Sequence, residues 1–174
     1  MKQYSLHEVK TKNEHHAFFT FPFKLYKGCD QWVPPITNEE KAIFNRAKNP
    51  VFKNAEAKLF VVKNEKQIIG RIAALINWIE VKEQAKTKVR FGWYDTIDDL
   101  DVSRMLIDAV HSWGKQKGLT YLEGPMGFSN MDKAGLLVQG YEYKNTMITW
   151  YHYPYQKKHL EELGLVKQAE WVEY

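Results

Sequence analysis

The sequence predicts an α/β (α+β) fold, a mixed sheet flanked by helices, and three observations carry that prediction. First, residues 88–118 read as strand, tight turn and helix in succession. Val89, Phe91 and Trp93 alternate with period 2, whereas Met105, Leu106, Ala109, Val110 and Trp113 form one helical stripe. Second, two β-rich runs, 58–63 and 67–78, flank the polar turn Asn64, Glu65 and Lys66 and predict a hairpin. Third, LTYLEGP after the helix predicts a further strand, which a helical crossover sets parallel to the one before it.

In chain order, residues 3–10 alternate well enough for a first strand. A helix is expected from Asn13, disturbed by Pro22 and ended by Gly28. WVPP is an extended turn, because each proline biases its predecessor away from helix. NEEKAIFNRAKN predicts a short amphipathic helix capped by Thr37 or Asn38 and closed by Pro50. Gly70, inside the second run of the hairpin, marks a bulge or a close backbone approach. The polar stretch EVKEQAKTK turns the chain into the strand at Val89. In the central helix Asp99 and Asp101 supply an N-cap and a favourable first-turn charge, and Gly118 the stop. GPMGFSNMD is a glycine-rich loop; a short helix is expected over 132–138, a strand over 145–153, a helix over 155–164 and a closing strand over 165–174.

With 174 residues, 44% hydrophobic and 26% charged, the chain fits one globular domain over residues 1–174. Its net charge of +4 and pI near 9.0 suit an anionic partner. The excess is nearly all lysine, however, and Arg46, Arg71, Arg90 and Arg104 are the only arginines, which argues against nucleic acid. A single cysteine, Cys29, excludes an internal disulfide and a thiolate metal cluster. No run approaches the ~18 apolar residues of a membrane span, so no membrane partner is expected and the cytoplasm is the expected location.

Several constellations allow two readings. The carboxylates of DTIDDLD could hold a cation or cap the following helix; they lack EF-hand spacing and its central glycine. His15 and His16 adjoin, His7, His111, His152 and His159 are scattered, and none has zinc-site spacing, so no metal is expected. In GPMGFSNMDKAG, glycines 124, 127 and 135 with Ser129, Asn130 and Asp132 could line a cleft or form a capping turn. Glu123, at a strand end, is the best-placed carboxylate for a general base, or equally a plain solvent-facing residue.

The blocks FPFKLYKG, WVPP, NPVFKNAEAKLF, IGRIAALIN, RFGWYDTIDD, LEGPMGFSNMDKAGLLVQGY and YHYPY followed by LGLVK span nearly the whole chain. They resemble a set of bacterial GNAT-like proteins of unassigned activity, within the superfamily of CoA-dependent N-acetyltransferases. The resemblance implies a twisted mixed sheet with a splayed parallel strand pair at its centre, and a longer chain of which residues 1–174 are the N-terminal part. It also implies acyl transfer from acetyl-CoA or another acyl-CoA to a small-molecule or peptide amine.

On that resemblance, the backbone from Phe91 to Trp93 would hold the pantetheine arm, and Val102, Ser103 and Arg104 would meet the cofactor. Residues 97–102 fall in the superfamily's pyrophosphate loop, yet they contain no glycine and the three acids Asp98, Asp99 and Asp101. Two unit charges ~4 Å apart repel by about 1 kcal/mol in water and several times more near a protein surface. The acid sequence therefore opposes a pyrophosphate there. The superfamily's tyrosine acid aligns with Leu160 or Leu136, which leaves Tyr151, Tyr153 and Tyr155 as nearby phenols, with Tyr155 the candidate acid beside the base Glu123. Two alternatives follow: a CoA-independent transferase of the aminoacyl-tRNA-dependent type, the one case with a nucleic-acid partner, or a non-catalytic module of the same fold. A homodimer is a further expectation.

Overall fold

The hairpin forms where the alternating runs place it. In the computed structural model, which describes residues 3–129 and 131–172, β2 (Ala55–Asn64) and β3 (Gln67–Asn77) pair antiparallel across a turn at Glu65, φ 52°. β1 (Tyr4–Glu8) adds on the β2 side. On the other side lie β4 (Lys88–Thr96), antiparallel to β3, and then β5 (Tyr121–Glu123), parallel to β4. Strand order follows chain order, β1-β2-β3-β4-β5. This is the mixed sheet flanked by helices that the pattern predicts.

α4 (Leu100–Gln116) makes the crossover. Asp99 caps it by accepting the Asp101 N–H at 3.0 Å, and Gly118 leaves it at φ 78°, as predicted. Its apolar stripe packs on one sheet face with Phe60, Val62, Ile72, Ala74, Val89 and Phe91. Gly70 is a close approach: a Cβ there would lie 2.7 Å from Val102 Cγ1. The opposite face is covered by α1 (Lys12–Leu25) and α2 (Thr37–Ile43), which bury Phe18, Phe19 and Phe44 against Val61, Leu75 and Trp93.

Six expectations are corrected. α1 runs through Pro22 without a break. Proline lacks the N–H that would bond the Phe18 carbonyl, and Arg71 Nη1 supplies a donor to that oxygen at 2.9 Å instead. α2 begins after Ile36 rather than being capped by Thr37 or Asn38, and it ends at Ile43; Pro50 opens a separate 3₁₀ turn, Pro50–Lys53, capped by the Asn49 side chain. The polar stretch before β4 holds α3 (Trp78–Glu83), because Asn77 Oδ1 accepts the Ile79 N–H and starts a helix where a strand end is expected.

Residues 132–138 form no helix: Asp132 takes the Ser129 N–H at 2.8 Å and Met126 bridges Ala134, which keeps the segment open. Neither 145–153 nor the described part of 165–174 forms a strand. In the first, Asn145 Nδ2 bonds the Thr149 carbonyl at 3.0 Å, a local bond that competes with a ladder. In the second, Val166, Trp171 and Val172 stay exposed, and among the described residues no strand lies beside them. The last helix, α5 (Pro154–Glu162), forms as expected.

Gly114 in α4 tests the packing. Helix propensity favours Gly→Ala by about 1 kcal/mol. A Cβ there, however, would lie 2.5 Å from Val89 Cγ1, a β-branched atom that cannot swing aside. Overpacking of this kind costs about 1–3 kcal/mol. Gly114→Ala is therefore expected to lower the urea midpoint, and a raised midpoint would refute this packing.

Candidate active site

β4 carries a bulge. Ala73 pairs with Gly92 and Arg71 with Asp95, so Trp93 and Tyr94 together oppose the single residue Ile72. Trp93 pays for this with φ 48°, a region that costs a bulky side chain of order 1–3 kcal/mol. The strict alternation expected of Val89, Phe91 and Trp93 is thereby corrected: Val89, Phe91 and Tyr94 face α4, and Trp93 faces α1 and α2. Its indole is held by Phe44 and Trp150, at ring distances of 4.7 and 5.5 Å, and its Nε1–H donates in a short hydrogen bond to Glu40 of α2.

Beside the bulge, Arg71 and Asp95 form a buried ion pair, both Nε and Nη2 lying 2.7 Å from Asp95 Oδ2. The other carboxylate oxygen accepts the Tyr26 hydroxyl at 2.6 Å. Burial, with the Asp95 charge adding to it, pushes the Tyr26 pKa well above the ordinary phenol value, so Tyr26 stays a donor. Arg71 also lies over the Phe18 ring at 4.9 Å. A cavity of about 20 Å³ opens here, bounded by Glu40, Arg71, Asp95, Lys133, Trp32 and Trp150.

The residues nominated from sequence are not brought together. Glu123 lies in a second charge cluster, where Lys88 makes a short contact with it and Arg90 Nε lies at 3.1 Å. Glu80 joins them through Arg90 Nη2 at 2.7 Å. Burial works to raise the Glu123 pKa, but the bonds from Lys88 and Arg90 outweigh it and hold the carboxyl below its usual range. Tyr155, on α5, donates to the Thr96 carbonyl at 2.7 Å, and burial raises its pKa, with the neighbouring Tyr153, Asp98 and Asp95 acting in the same direction. Phe91, Trp93, Val102 and Ser103 are buried; of the five cofactor candidates only Arg104 is exposed. Asn130 lies outside the described residues.

The start of α4 does not fit a CoA pyrophosphate. Its cap is satisfied internally by Asp99, which also accepts the Tyr4 hydroxyl at 2.8 Å, and Asp98 holds His159 Nε2 at 3.2 Å. Ser103 Oγ is engaged by the Tyr94 hydroxyl at 2.8 Å and lies 2.9 Å from His159 Nδ1. This Ser–His–Asp row resembles a nucleophile with its base, but Ser103 is 0% exposed and no substrate reaches it.

The edge of β4 that faces β5 is closed by the chain itself. Pairing with β5 extends only from Lys88 to Arg90. Beyond it the Phe91 carbonyl accepts the Met126 N–H at 2.7 Å, Tyr94 accepts from Gln156 Nε2 at 3.1 Å, and Thr96 from Tyr155.

Glu40, Tyr26 and His152 escape sequence reasoning, because nothing in TNEEK, KLYKG or WYHYPY distinguishes them from surface and core residues. Arg71 does carry a signal: it is a lone cation inside the apolar run IIGRIAALI, and such a charge needs a buried partner. Among the described residues no group of three or more His, Cys, Asp or Glu is placed to hold a metal. No described helix is long and apolar enough to cross a membrane.

This architecture is the GNAT-like fold. It superposes on AAC(6')-Iy, solved in complex with a bisubstrate analogue, CoA-S-monomethyl-acetylneamine, with a TM-score of 0.56 over 99% of this chain and 97% of that one, at 13% identity. In fold, the chain is a GNAT-like protein. Two relatives are closer in sequence. Protein YghO of Escherichia coli (strain K12) is 32% identical over 156 residues, 90% of this chain and 40% of the relative. A bacterial ceramide synthase of Caulobacter vibrioides (strain NA1000 / CB15N) is 28% identical over 167 residues, 95% of this chain and 44% of the relative. The chain thus spans about two fifths of the length of these relatives. No family model matches it.

His152 gives the region a pH signature. The ring is 1% exposed, with Nδ1 accepting the Leu137 N–H at 3.3 Å. Burial pushes its pKa from 6.5 down to about 4, against the pull of Asp95. Below pH 6.5 the unfolded chain protonates this residue while the folded one does not. Its contribution to stability is therefore whole above about pH 6.5 and is lost towards pH 4, by roughly 3 kcal/mol. Unfolding free energies of the native chain and His152→Gln should converge across that window, and a pH-independent difference would contradict the assignment.

Proposed function

We propose that the chain contributes the GNAT-like half of an N-acyltransferase, which moves an acyl group from a thioester donor to an amine. The observation that carries this reading is the bulge at Trp93, a strained residue whose indole N–H bonds Glu40, and Glu40 in turn lines a small cavity. The comparisons support the same reaction class. The Caulobacter relative is a ceramide synthase, and a ceramide is an N-acylated long-chain amine. AAC(6')-Iy was solved with a CoA–amine conjugate.

The donor is proposed to be recognised by its acyl and thioester parts and not by a nucleotide. The acidic, self-capped start of α4 supports this, since Asp98, Asp99 and Asp101 stand where a pyrophosphate would need bare N–H groups. For a donor to lie along β4 from the β5 side, Gln156 and Tyr155 must release the Tyr94 and Thr96 carbonyls. Tyr155 then has a free hydroxyl beside that edge and is the proposed proton donor. Glu123 keeps the role of fixing Lys88 and Arg90 where the two parallel strands part.

The test is thiol release from acyl-CoA and from the matching acyl-pantetheine, with a panel of primary amines as acceptors and the amide product read by mass spectrometry. Amine-dependent release is expected from both donors, with kcat/KM values within about tenfold of each other, because the nucleotide adds little binding energy (tenfold is about 1.4 kcal/mol). No amine-dependent release from either donor would end the acyl-transfer reading. A preference for acyl-CoA of a hundredfold or more would end the donor assignment.

A further inference from the structure

The carboxylates buried in this chain differ in how completely they are neutralised, and Glu40 is the outlier. Asp95 is held by the Arg71 guanidinium and the Tyr26 hydroxyl, all within 2.7 Å. Glu123 is held by two cations, Lys88 and Arg90, and Glu80 by the same two, with Arg90 at 2.7 Å and Lys88 at 3.4 Å. Glu40 is just as buried, 7% exposed, yet its Oε2 has a neutral indole N–H from Trp93. Its Oε1 faces Lys133 Nζ at 3.6 Å, an ion pair too long for a hydrogen bond. Lys133 itself rides on the loop after β5, its side chain 24% exposed.

Because the one cation paired with Glu40 stands beyond hydrogen-bond reach, Oε1 has room for a closer, hydrogen-bonded one. Here Glu40 borders the 20 Å³ cavity, which is large enough for one water-sized group. An ammonium head is that size. The rim is apolar and aromatic, formed by half-buried Trp32, Val33, Pro35 and Trp150. Tryptophan faces favour a cation and tolerate a hydrocarbon. The other charges at the cavity, Arg71 and Asp95, already neutralise each other.

The geometry points to Glu40 as the anchor for the acceptor: a primary amine on an apolar body binds with its ammonium on Glu40 Oε1, displacing Lys133, and its hydrocarbon against Trp32 and Trp150. This deepens the acyl-transfer reading and rests on it for the amine's role as acceptor, in which the ammonium gives a proton to Glu40, the freed lone pair forms the amide bond as the thioester C–S bond breaks, and Tyr155 protonates the departing thiolate; the site itself can be measured without any acyl donor. The Lys133 ammonium, an internal stand-in for the ligand's head group, competes for the same oxygen.

The test is titration of the protein with n-octylamine, followed by tryptophan fluorescence and calorimetry, with 1-octanol and octanoate as the neutral and anionic controls. Saturable octylamine binding is expected, with both controls at least tenfold weaker. Glu40→Gln should weaken the amine tenfold or more at an unchanged far-UV spectrum, and Lys133→Met should tighten it severalfold by removing the competitor. Equal binding of octanol and octylamine, no binding of octylamine, or weaker binding by Lys133→Met would each overturn the site, and these readings stand even where Glu40→Gln fails to fold. Octylamine binding that depends on Glu40, with no thiol release in the transfer assay, would keep the site and remove the acyl-transfer reading. Transfer to octylamine that Glu40→Gln leaves unchanged would do the reverse.

Discussion

The Arg71–Asp95 pair ties β3, β4 and α1 together at one point. The two residues are direct partners across β3 and β4, immediately beside the bulge. From that position the guanidinium also takes the Phe18 carbonyl that Pro22 leaves free in α1, and the carboxylate takes the Tyr26 hydroxyl at the end of the same helix. A pair so far from water adds little net stability over an apolar substitute, but removing one partner strands a charge at about 3–5 kcal/mol. Its structural value is therefore positional. It fixes α1 on the sheet at one height and holds Asp95 in register, so the extra residue of the bulge has to be absorbed at Trp93 and Tyr94.

A second consequence concerns the start of α4. In this fold a helix N-terminus at the end of β4 would present bare N–H groups, the local field that draws phosphate. Here the same positions are spent on holding the protein together. Tyr4 of β1 reaches Asp99, His159 of α5 reaches Asp98, and Tyr94 of β4 reaches Ser103. Three elements separated in sequence thus converge on the first turn of one helix. An incoming pyrophosphate would meet carboxylates and would have to break this junction. The charge gathered at this junction, and not the topology alone, is what an incoming anion would meet.

The parts of the fold legible in the sequence are those set by local chemistry. The hairpin, the α4 stripe, the Asp99 cap and the Gly118 stop each depend on residues within a few positions of one another. The misread parts depend on distant partners. Pro22 breaks a helix unless another donor is found for Phe18, and that donor sits 53 residues away on β3. Period 2 in Val89, Phe91 and Trp93 is a sound strand signal, yet the bulge that turns Trp93 over comes from the Arg71–Asp95 register. The strands expected over 145–153 and from residue 165 have adequate patterns, but the described sheet ends at a three-residue β5 and gives them only a short edge to join there. In the site, Arg71 is visible as a cation in an apolar run, whereas Glu40 looks like an ordinary first-turn acid of a surface helix. Only the fold carries it under the indole of Trp93.

These facts make the two sides of β4 unequal, and the inequality bears on how acyl transfer could proceed here. On the α1–α2 side, the cavity at Glu40 is already shaped and its aromatic walls are braced edge to face, Trp150 by Trp93 and Trp32 by Phe23, so an amine would enter at small cost in ordering. On the β5 side, two carbonyls of the strand are satisfied by Gln156 and Tyr155. Each such bond is worth about 1 kcal/mol net, and leaving a buried carbonyl unpaired costs more than that. A donor that merely pushed these side chains away would bind poorly; one whose own amide N–H groups replaced them at the same oxygens would recover most of the loss. A pantetheine arm carries two such amides along its length, and a bare fatty acid carries none. The hydrogen-bonding need of β4, and not a phosphate clamp, is what would select a thioester on that arm.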